Sequence, residues 1–360
     1  MPDEKKHTDD GKQEARSKNP DAKPPARRRR QASKPGRQEE QSRGRQPSAA
    51  EGKNRSFESK ARPAPRKSPQ RTHDVKPTVR HVMELKGKRP IVALTAYDAI
   101  MGKLISEAGV DFILVGDSVG TTLLGFDTTI PVTMEDMVRH TAAVRRSNPQ
   151  CLLVADLPFA EASMSFDRFL DSAKRLMQEG GADAIKVEGG RDLADDIEKL
   201  VATGIPVLGH IGLLPQTVKA LGGYRKFGSV PEEAESLYTD AISLEEAGCF
   251  AIIAEMMEEK VATELAGQII PPLIGIGSGP NCDGQILVTQ DLLGLTAKGV
   301  PSFVTPYANL GTLLPKVIAT SLYAQAQPFS TKQNQQSFFY QIDHLTYEYC
   351  PINLLFSFWI

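Results

Sequence analysis

Beyond residue 76 the hydrophobic positions switch repeatedly between two periods. Short apolar runs of four or five residues, apolar on both faces, alternate with longer stretches whose apolar positions recur every three or four residues. Runs of the first kind are what strands of a parallel sheet covered by helices look like, and stretches of the second kind are amphipathic helices. The pattern predicts a short helix over 79–85. It predicts strands over 91–95, 112–116, 152–156, 184–188, 206–210, 251–255, 273–277 and 302–305. Between them it predicts helices that include 98–108, 134–146, 166–179, 193–201 and 232–247. Several of these run into glycine before the next strand, at Gly109, Gly180, Gly204 and Gly248, as helix C-termini often do. Eight strand–helix units over about 250 residues give an α/β chain of the (β/α)8 TIM-barrel kind. An open doubly wound sheet is the alternative, but its Gly-x-Gly-x-x-Gly turn is missing after the first strand, which runs into Ala96-Tyr97-Asp98.

Charge divides the chain where the periodicity begins. Residues 1–76 hold 22 Lys and Arg against 11 Asp and Glu, leaving 21 against 33 in the remainder, so the near-neutral total conceals two opposite halves. With hardly any large apolar side chain beyond Phe57 and Val75, the first 76 residues cannot offset the entropy of ordering and are expected to form a disordered basic leader. The run Arg27-Arg28-Arg29-Arg30 could attract a polyanion, yet no aromatic residues are interleaved for base stacking, so nucleic acid is not the expected partner. Asp3, Glu4, Asp9 and Asp10 give a mitochondrial transit peptide little support. No secretory segment or long apolar span is present, so a cytoplasmic protein that does not engage membrane is expected. Residues 77–327 form the expected catalytic barrel, and 328–360 a tail, polar and then apolar, to which no role is given. Cys151, Cys249, Cys282 and Cys350 are widely spaced and fit core packing better than disulfides or zinc.

Chemistry collects at the strand ends: Thr95, Asp117-Ser118, Asp156, Lys186 with Glu188, His210, Glu255 and Gly275-Ile276-Gly277-Ser278-Gly279. In parallel α/β folds that edge is where ligands bind. Side chains alternate along a strand, so Lys186 and Glu188 share a face, as do Val154 with Asp156 and Val115 with Asp117. Singly, each has a plain structural reading: an Asp caps a helix, a Lys-x-Glu pair forms a salt bridge, a His is satisfied in the core. Four carboxylates converging from strands 2, 3, 4 and 6 are harder to explain without a cation, because like charges in one cleft repel. Asp117, Asp156 and Glu188 are hard oxygen donors that suit Mg²⁺ or Mn²⁺. Such an ion could bind a 2-oxo acid and acidify its neighbouring C–H, with a carboxylate opposite as general base.

These residues lie in a series of motifs, among them Thr95-Ala96-Tyr97-Asp98, Val115-Gly116-Asp117-Ser118-Val119-Gly120, Ala155-Asp156-Leu157-Pro158-Phe159, Lys186-Val187-Glu188-Gly189-Gly190, Gly209-His210-Ile211-Gly212-Leu213-Leu214-Pro215-Gln216 and Gly275-Ile276-Gly277-Ser278-Gly279 to Asp283-Gly284-Gln285. In order and spacing they resemble the ketopantoate hydroxymethyltransferase family over about residues 76 to 326. The resemblance implies a (β/α)8 barrel in a large homo-oligomer, a decamer, on the pantothenate pathway toward coenzyme A. It implies hydroxymethyl transfer from 5,10-methylenetetrahydrofolate to 3-methyl-2-oxobutanoate, giving 2-dehydropantoate and tetrahydrofolate, with Mg²⁺ as cofactor and small molecules as partners. Carried over by position, Asp117 and Asp156 are metal ligands and Glu188 is a metal-site carboxylate that acts through water. Asp117, Ser118, Asp156 and Lys186 bind substrate, and Glu255 is the catalytic proton acceptor. Three other readings stand beside this one: a Schiff-base aldolase with Lys186 as nucleophile, a Mg²⁺-dependent 2-oxo-acid lyase of the phosphoenolpyruvate/isocitrate barrel type, and RNA binding through the leader.

Overall fold

Each strand–helix unit forms where the apolar pattern changes period, as a computed structural model of the chain shows; the structure describes residues 77–296 and 299–326. The expected leader and tail lie outside the described residues. The strands are β1 (Ile91–Thr95), β2 (Phe112–Val115), β3 (Leu152–Asp156), β4 (Ala184–Glu188), β5 (Val207–Gly212), β6 (Ala251–Glu255), β7 (Leu273–Ile276) and β8 (Gly284–Leu287). They pair in parallel in chain order, and β8 pairs with β1 to close the barrel. The helices are α1 (Val79–Met83), α2 (Ala99–Glu107), α3 (Val119–Thr122), α4 (Met134–Arg146), α5 (Phe166–Gln178), α6 (Ala194–Ala202), α7 (Val218–Leu221), α8 (Pro231–Glu246), α9 (Glu259–Gln268), α10 (Thr289–Leu292) and α11 (Leu310–Ala326). The expected (β/α)8 barrel with a short N-terminal helix is therefore present.

One expected strand is wrong. The eighth strand is Gly284–Leu287, whereas 302–305 carries a turn. Ser-Phe-Val-Thr looks the better strand by composition, but Pro301 and Pro306 flank it and interrupt any hydrogen-bond ladder. Gly284 pairs with both Ile91 and Ile274, and a Cβ there would lie 2.6 Å from the Ile91 side chain and its carbonyl oxygen. The requirement for close approach removed the apolar side chain that would have made the strand legible. As a consequence β7 and β8 are joined directly, with no helix between them.

Strand parity separates two cores. Ile91, Ala93, Phe112, Leu114, Leu152, Val154, Ala184, Leu208, Ala251, Ile253, Ile274 and Ile286 fill the barrel together with Val82 and Leu85 around α1. The alternate positions Ile113, Val115, Leu153, Ile185, Val187, Ile252 and Ala254 belong to the outer core with the helices. Near α1, Lys86 Nζ donates to the carbonyls of Ile269 and Pro271 and pairs with Asp283 at 3.1 Å. The plug therefore sits at the strands' N-terminal end and leaves the opposite mouth for chemistry.

Helix entry follows from local side-chain hydrogen bonds. Asp98 accepts from the amides of Ile100 and Met101, so the acid of the Thr-Ala-Tyr-Asp motif is a helix cap. Thr133 and Asp136 form a reciprocal capping box at α4. The expected glycine stops hold at Gly109, Gly204 and Gly248, all with positive φ. After α5 the left-handed position is Gly181, while Gly180 is needed because a Cβ there would meet the Leu176 carbonyl at 2.5 Å.

Candidate active site

Parity delivers most of the site. Ala184, Val154, Leu208 and Ile253 point into the barrel, so Lys186, Glu188, Asp156, His210 and Glu255 point inward at its C-terminal mouth. Asp117 reaches the same place by another route. Its parity matches Val115, which faces the helices, but β2 stops at Val115 and the chain turns at Gly116. The Asp117 N–H then donates to Asp156 Oδ2 (3.2 Å).

Asp117, Asp156, Lys186 and His210 are almost wholly buried. Lys186 Nζ donates to Asp156 Oδ2 (2.6 Å) and to Glu188 Oε1 (3.2 Å). Asp117 Oδ2 accepts from the Gln216 side-chain amide (3.0 Å), and Glu188 Oε2 from the Gln216 backbone N–H (3.1 Å). His210 stands between two carboxylates, Nδ1 at 3.5 Å from Glu188 and Nε2 at 3.3 Å from Glu255. Ser118, next to Asp117, is hydrogen bonded through Oγ to the buried hydroxyl of Tyr97 (2.8 Å).

The charges are far from their values in water. Burial, reinforced by Asp156 and Glu188, raises the Asp117 carboxyl well above the usual range, and burial also raises Asp156 against the pull of Lys186. Burial would raise Glu188 as well, but Lys186 and then His210 hold it down at about 2. Burial opposes the charge on Lys186, yet Asp156, Glu188 and Asp117 keep its pKa above the ordinary lysine value. For His210, burial and Lys186 are outweighed by Glu188 and Glu255, and its pKa rises to about 9.

This arrangement can hold a divalent cation. One oxygen from each of Asp117, Asp156 and Glu188 lies within 4.8 Å of the others. Asp156 Oδ1 is buried without a hydrogen-bond partner, an acceptor in need of a positive charge. Asp117 has one oxygen beyond the one held by Gln216, whereas both Glu188 oxygens already accept from protein donors. The donors are all hard oxygens, which fits Mg²⁺.

One of the other enzyme readings loses its support here. A Schiff-base lysine must shed its proton, and Lys186 is locked as an ammonium between two carboxylates. Burial pushes Cys249 up to about 12 and Cys282 up to about 11, as expected of cysteines that pack in the core. Cys249 and Cys282 are free thiols. Glu255 does not pair with Lys260, which sits near Glu264, and does not cap α9, whose N-cap is Glu258.

Sequence reasoning passed over three contributors. Gln216 stood inside the Gly-His-Ile-Gly motif without a role, and Tyr97 stood beside Asp98. Tyr224 follows the left-handed Gly222-Gly223 turn, and burial with the charges of Glu255, Asp117 and Glu188 raises its hydroxyl. A glycine pair directly after the short helix α7 was the available signal.

Known proteins match this chain over the barrel. The family model for ketopantoate hydroxymethyltransferase matches residues 76–327. The 3-methyl-2-oxobutanoate hydroxymethyltransferase of Pseudothermotoga lettingae is 48% identical over 226 residues, 63% of this chain and 85% of the relative. One from Thermus thermophilus is 47% identical over 248 residues, 69% of this chain and 94% of the relative. Among solved structures, phosphonopyruvate hydrolase in complex with oxalate and Mg²⁺ aligns with a TM-score of 0.49 at 13% identity, covering 75% of this chain and 98% of that one. The motifs that suggested a family are thus part of a match that spans the barrel, and the chain belongs to the ketopantoate hydroxymethyltransferase family.

Proposed function

We propose that this chain transfers a hydroxymethyl group from 5,10-methylenetetrahydrofolate to 3-methyl-2-oxobutanoate, giving 2-dehydropantoate and tetrahydrofolate in pantothenate biosynthesis. The observation that carries the reading is the buried Asp117, Asp156, Lys186 and Glu188 cluster, tied through His210 to Glu255 on the far side of the mouth. Asp117 and Asp156 would hold Mg²⁺ directly, and Glu188, its oxygens already engaged, would act on it through water. Bound there, the ion supplies Lewis acidity to the 2-oxo group of the substrate.

The protein's own groups do the rest. The Lys186 ammonium and the Ser118 hydroxyl, with the two aspartates, bind the oxo acid. Tyr97 keeps the Ser118 hydroxyl in one orientation. Glu255 accepts the proton from C3 of the substrate; C3 then bonds to the methylene carbon of the folate, whose two C–N bonds break, and one water supplies the hydroxyl oxygen while the folate nitrogens take up the protons. His210 Nε2 lies 3.3 Å from Glu255, so a protonated imidazole would attract that carboxylate. Gly212 permits the close packing behind it: its φ is +91°, and a Cβ would lie 2.3 Å from the Glu255 carbonyl oxygen.

Residues 77–327 are assigned as the catalytic barrel. Among the described residues no helix is long and apolar enough to cross a membrane. We place the enzyme in the cytoplasm, in keeping with its free thiols. Exposed Ile100 and Leu104 on α2 and Ile318 and Leu322 on α11 support assembly into a large homo-oligomer that would cover them. The deciding experiment incubates purified protein with 3-methyl-2-oxobutanoate, methylenetetrahydrofolate and Mg²⁺ and seeks 2-dehydropantoate by mass. No product at saturating concentrations of all three would overturn the assignment.

A further inference from the structure

Gln216 makes three hydrogen bonds, and each ends on a different strand's loop. Its side-chain amide donates to Asp117 Oδ2 after β2 (3.0 Å) and to the Leu157 carbonyl after β3 (2.9 Å). Its backbone N–H donates to Glu188 Oε2 at the end of β4 (3.1 Å). The loop after β5 is brought there by the left-handed Gly212, by the Leu213 N–H bonded to the Glu255 carbonyl (2.9 Å), and by Pro215, which opens the short helical turn 215–217.

Asp117 cannot orient itself. It lies beyond the last paired residue of β2, where no ladder fixes its side chain, and its carboxylate is buried among other carboxylates. The Gln216 amide takes one oxygen, leaving the other for a ligand. Because the same amide is anchored to the Leu157 carbonyl, its position is set by β3 and transmitted to the carboxylate from β2. We infer that Gln216 is a positioning residue for the cation site, holding Asp117 in the orientation that binds a divalent ion and thereby joining that ligand to Glu188, the carboxylate on β4 that acts through water, in one unit. The inference rests on the reading of Asp117 and Asp156 as cation ligands. A neutral side chain outside the ligand set then governs affinity for the ion, as partners of metal ligands commonly do.

The test measures Mn²⁺ binding by electron paramagnetic resonance on the full chain after removal of bound metal, with no substrate present. Gln216→Met keeps the length but removes the donor. Gln216→Asn keeps the amide but shortens its reach. Both preserve the backbone N–H to Glu188. Each variant is expected to bind Mn²⁺ about 10- to 100-fold more weakly than the parent. In an Asp117→Asn background the same substitutions should change the affinity by less than about twofold, because the residue through which Gln216 acts is already altered. A mere loop brace would lower thermal stability and leave affinity unmoved. Unchanged Mn²⁺ affinity in either folded variant overturns the inference, and so does a full loss that persists in the Asp117→Asn background. If the parent protein itself binds no Mn²⁺, the cation-site reading falls with it. Parent binding that the Gln216 variants leave intact defeats the positioning role alone.

Discussion

Lys186 supplies the clearest test of the electrostatics, because it is the buried positive charge between Asp156 and Glu188. Lys186→Met keeps the side chain's length and apolar stem but leaves two buried carboxylates without their cation. Each lost hydrogen bond to a charged group accounts for about 1.5–3 kcal/mol. Breaking one side of a buried ion pair costs about 3–5 kcal/mol, which is the better guide to the pair of contacts together. A domain of this size shifts by roughly 2–4 °C per kcal/mol, so the variant should melt about 6–20 °C below the parent. Circular dichroism melts in chelator at pH 8 would measure it. The pH dependence has a defined sign. The Lys186 pKa is raised, so its contribution in the parent is fully present below the ordinary lysine pKa and fades only in strong alkali. In the variant, Asp156 and Glu188 lose the charge that held them down and bind protons more readily when folded than when unfolded. Acidifying from pH 8 to pH 5 should therefore narrow the gap between variant and parent. Melting within 2 °C of the parent at both pH values would refute the claim that Lys186 compensates this cluster.

Other outcomes follow from the same geometry. Glu255→Gln should leave oxo-acid binding near normal while abolishing solvent exchange of deuterium at C3 of the substrate; exchange at the parent rate would move the base elsewhere. Mg²⁺ added to chelator-treated protein should raise the melting temperature more at pH 8 than at pH 5, because raised Asp117 and Asp156 hold protons at the lower pH that a cation must displace; equal shifts at both values would contradict this. Tyr97→Phe removes the partner of Ser118 and should raise KM for the oxo acid about 5- to 10-fold, with little change in kcat. An unaltered KM in steady-state kinetics would show that Tyr97 does not orient Ser118.

The residues legible in the sequence are those that a strand places by alternation. Asp156, Lys186, Glu188, His210 and Glu255 each end an apolar run, and the period of two determines which wall they share. Asp117 was found for a reason that does not hold, since it arrives through a turn after β2 has ended. The eighth strand was misplaced because its first residue must be glycine to pass Ile91. Gln216 could be seen but not interpreted. Its partners are 28, 59 and 99 residues away, and no local periodicity encodes hydrogen bonds across that distance.

The fifth unit of the barrel joins the two sides of the site. β5 lies between β4, which carries Lys186 and Glu188, and β6, which carries Glu255. His210 touches a carboxylate on each of those neighbours, and six residues later Gln216 reaches back to Asp117 and Glu188. Between them Gly212 makes the turn that a side chain would prevent, with the Glu255 carbonyl only 2.3 Å from where its Cβ would lie. The position of the proposed base and the geometry of the proposed cation site are thus set by one short stretch of chain. A Gly212→Ala change would strain both at once, so Mn²⁺ affinity and the rate of C3 proton removal should fall together.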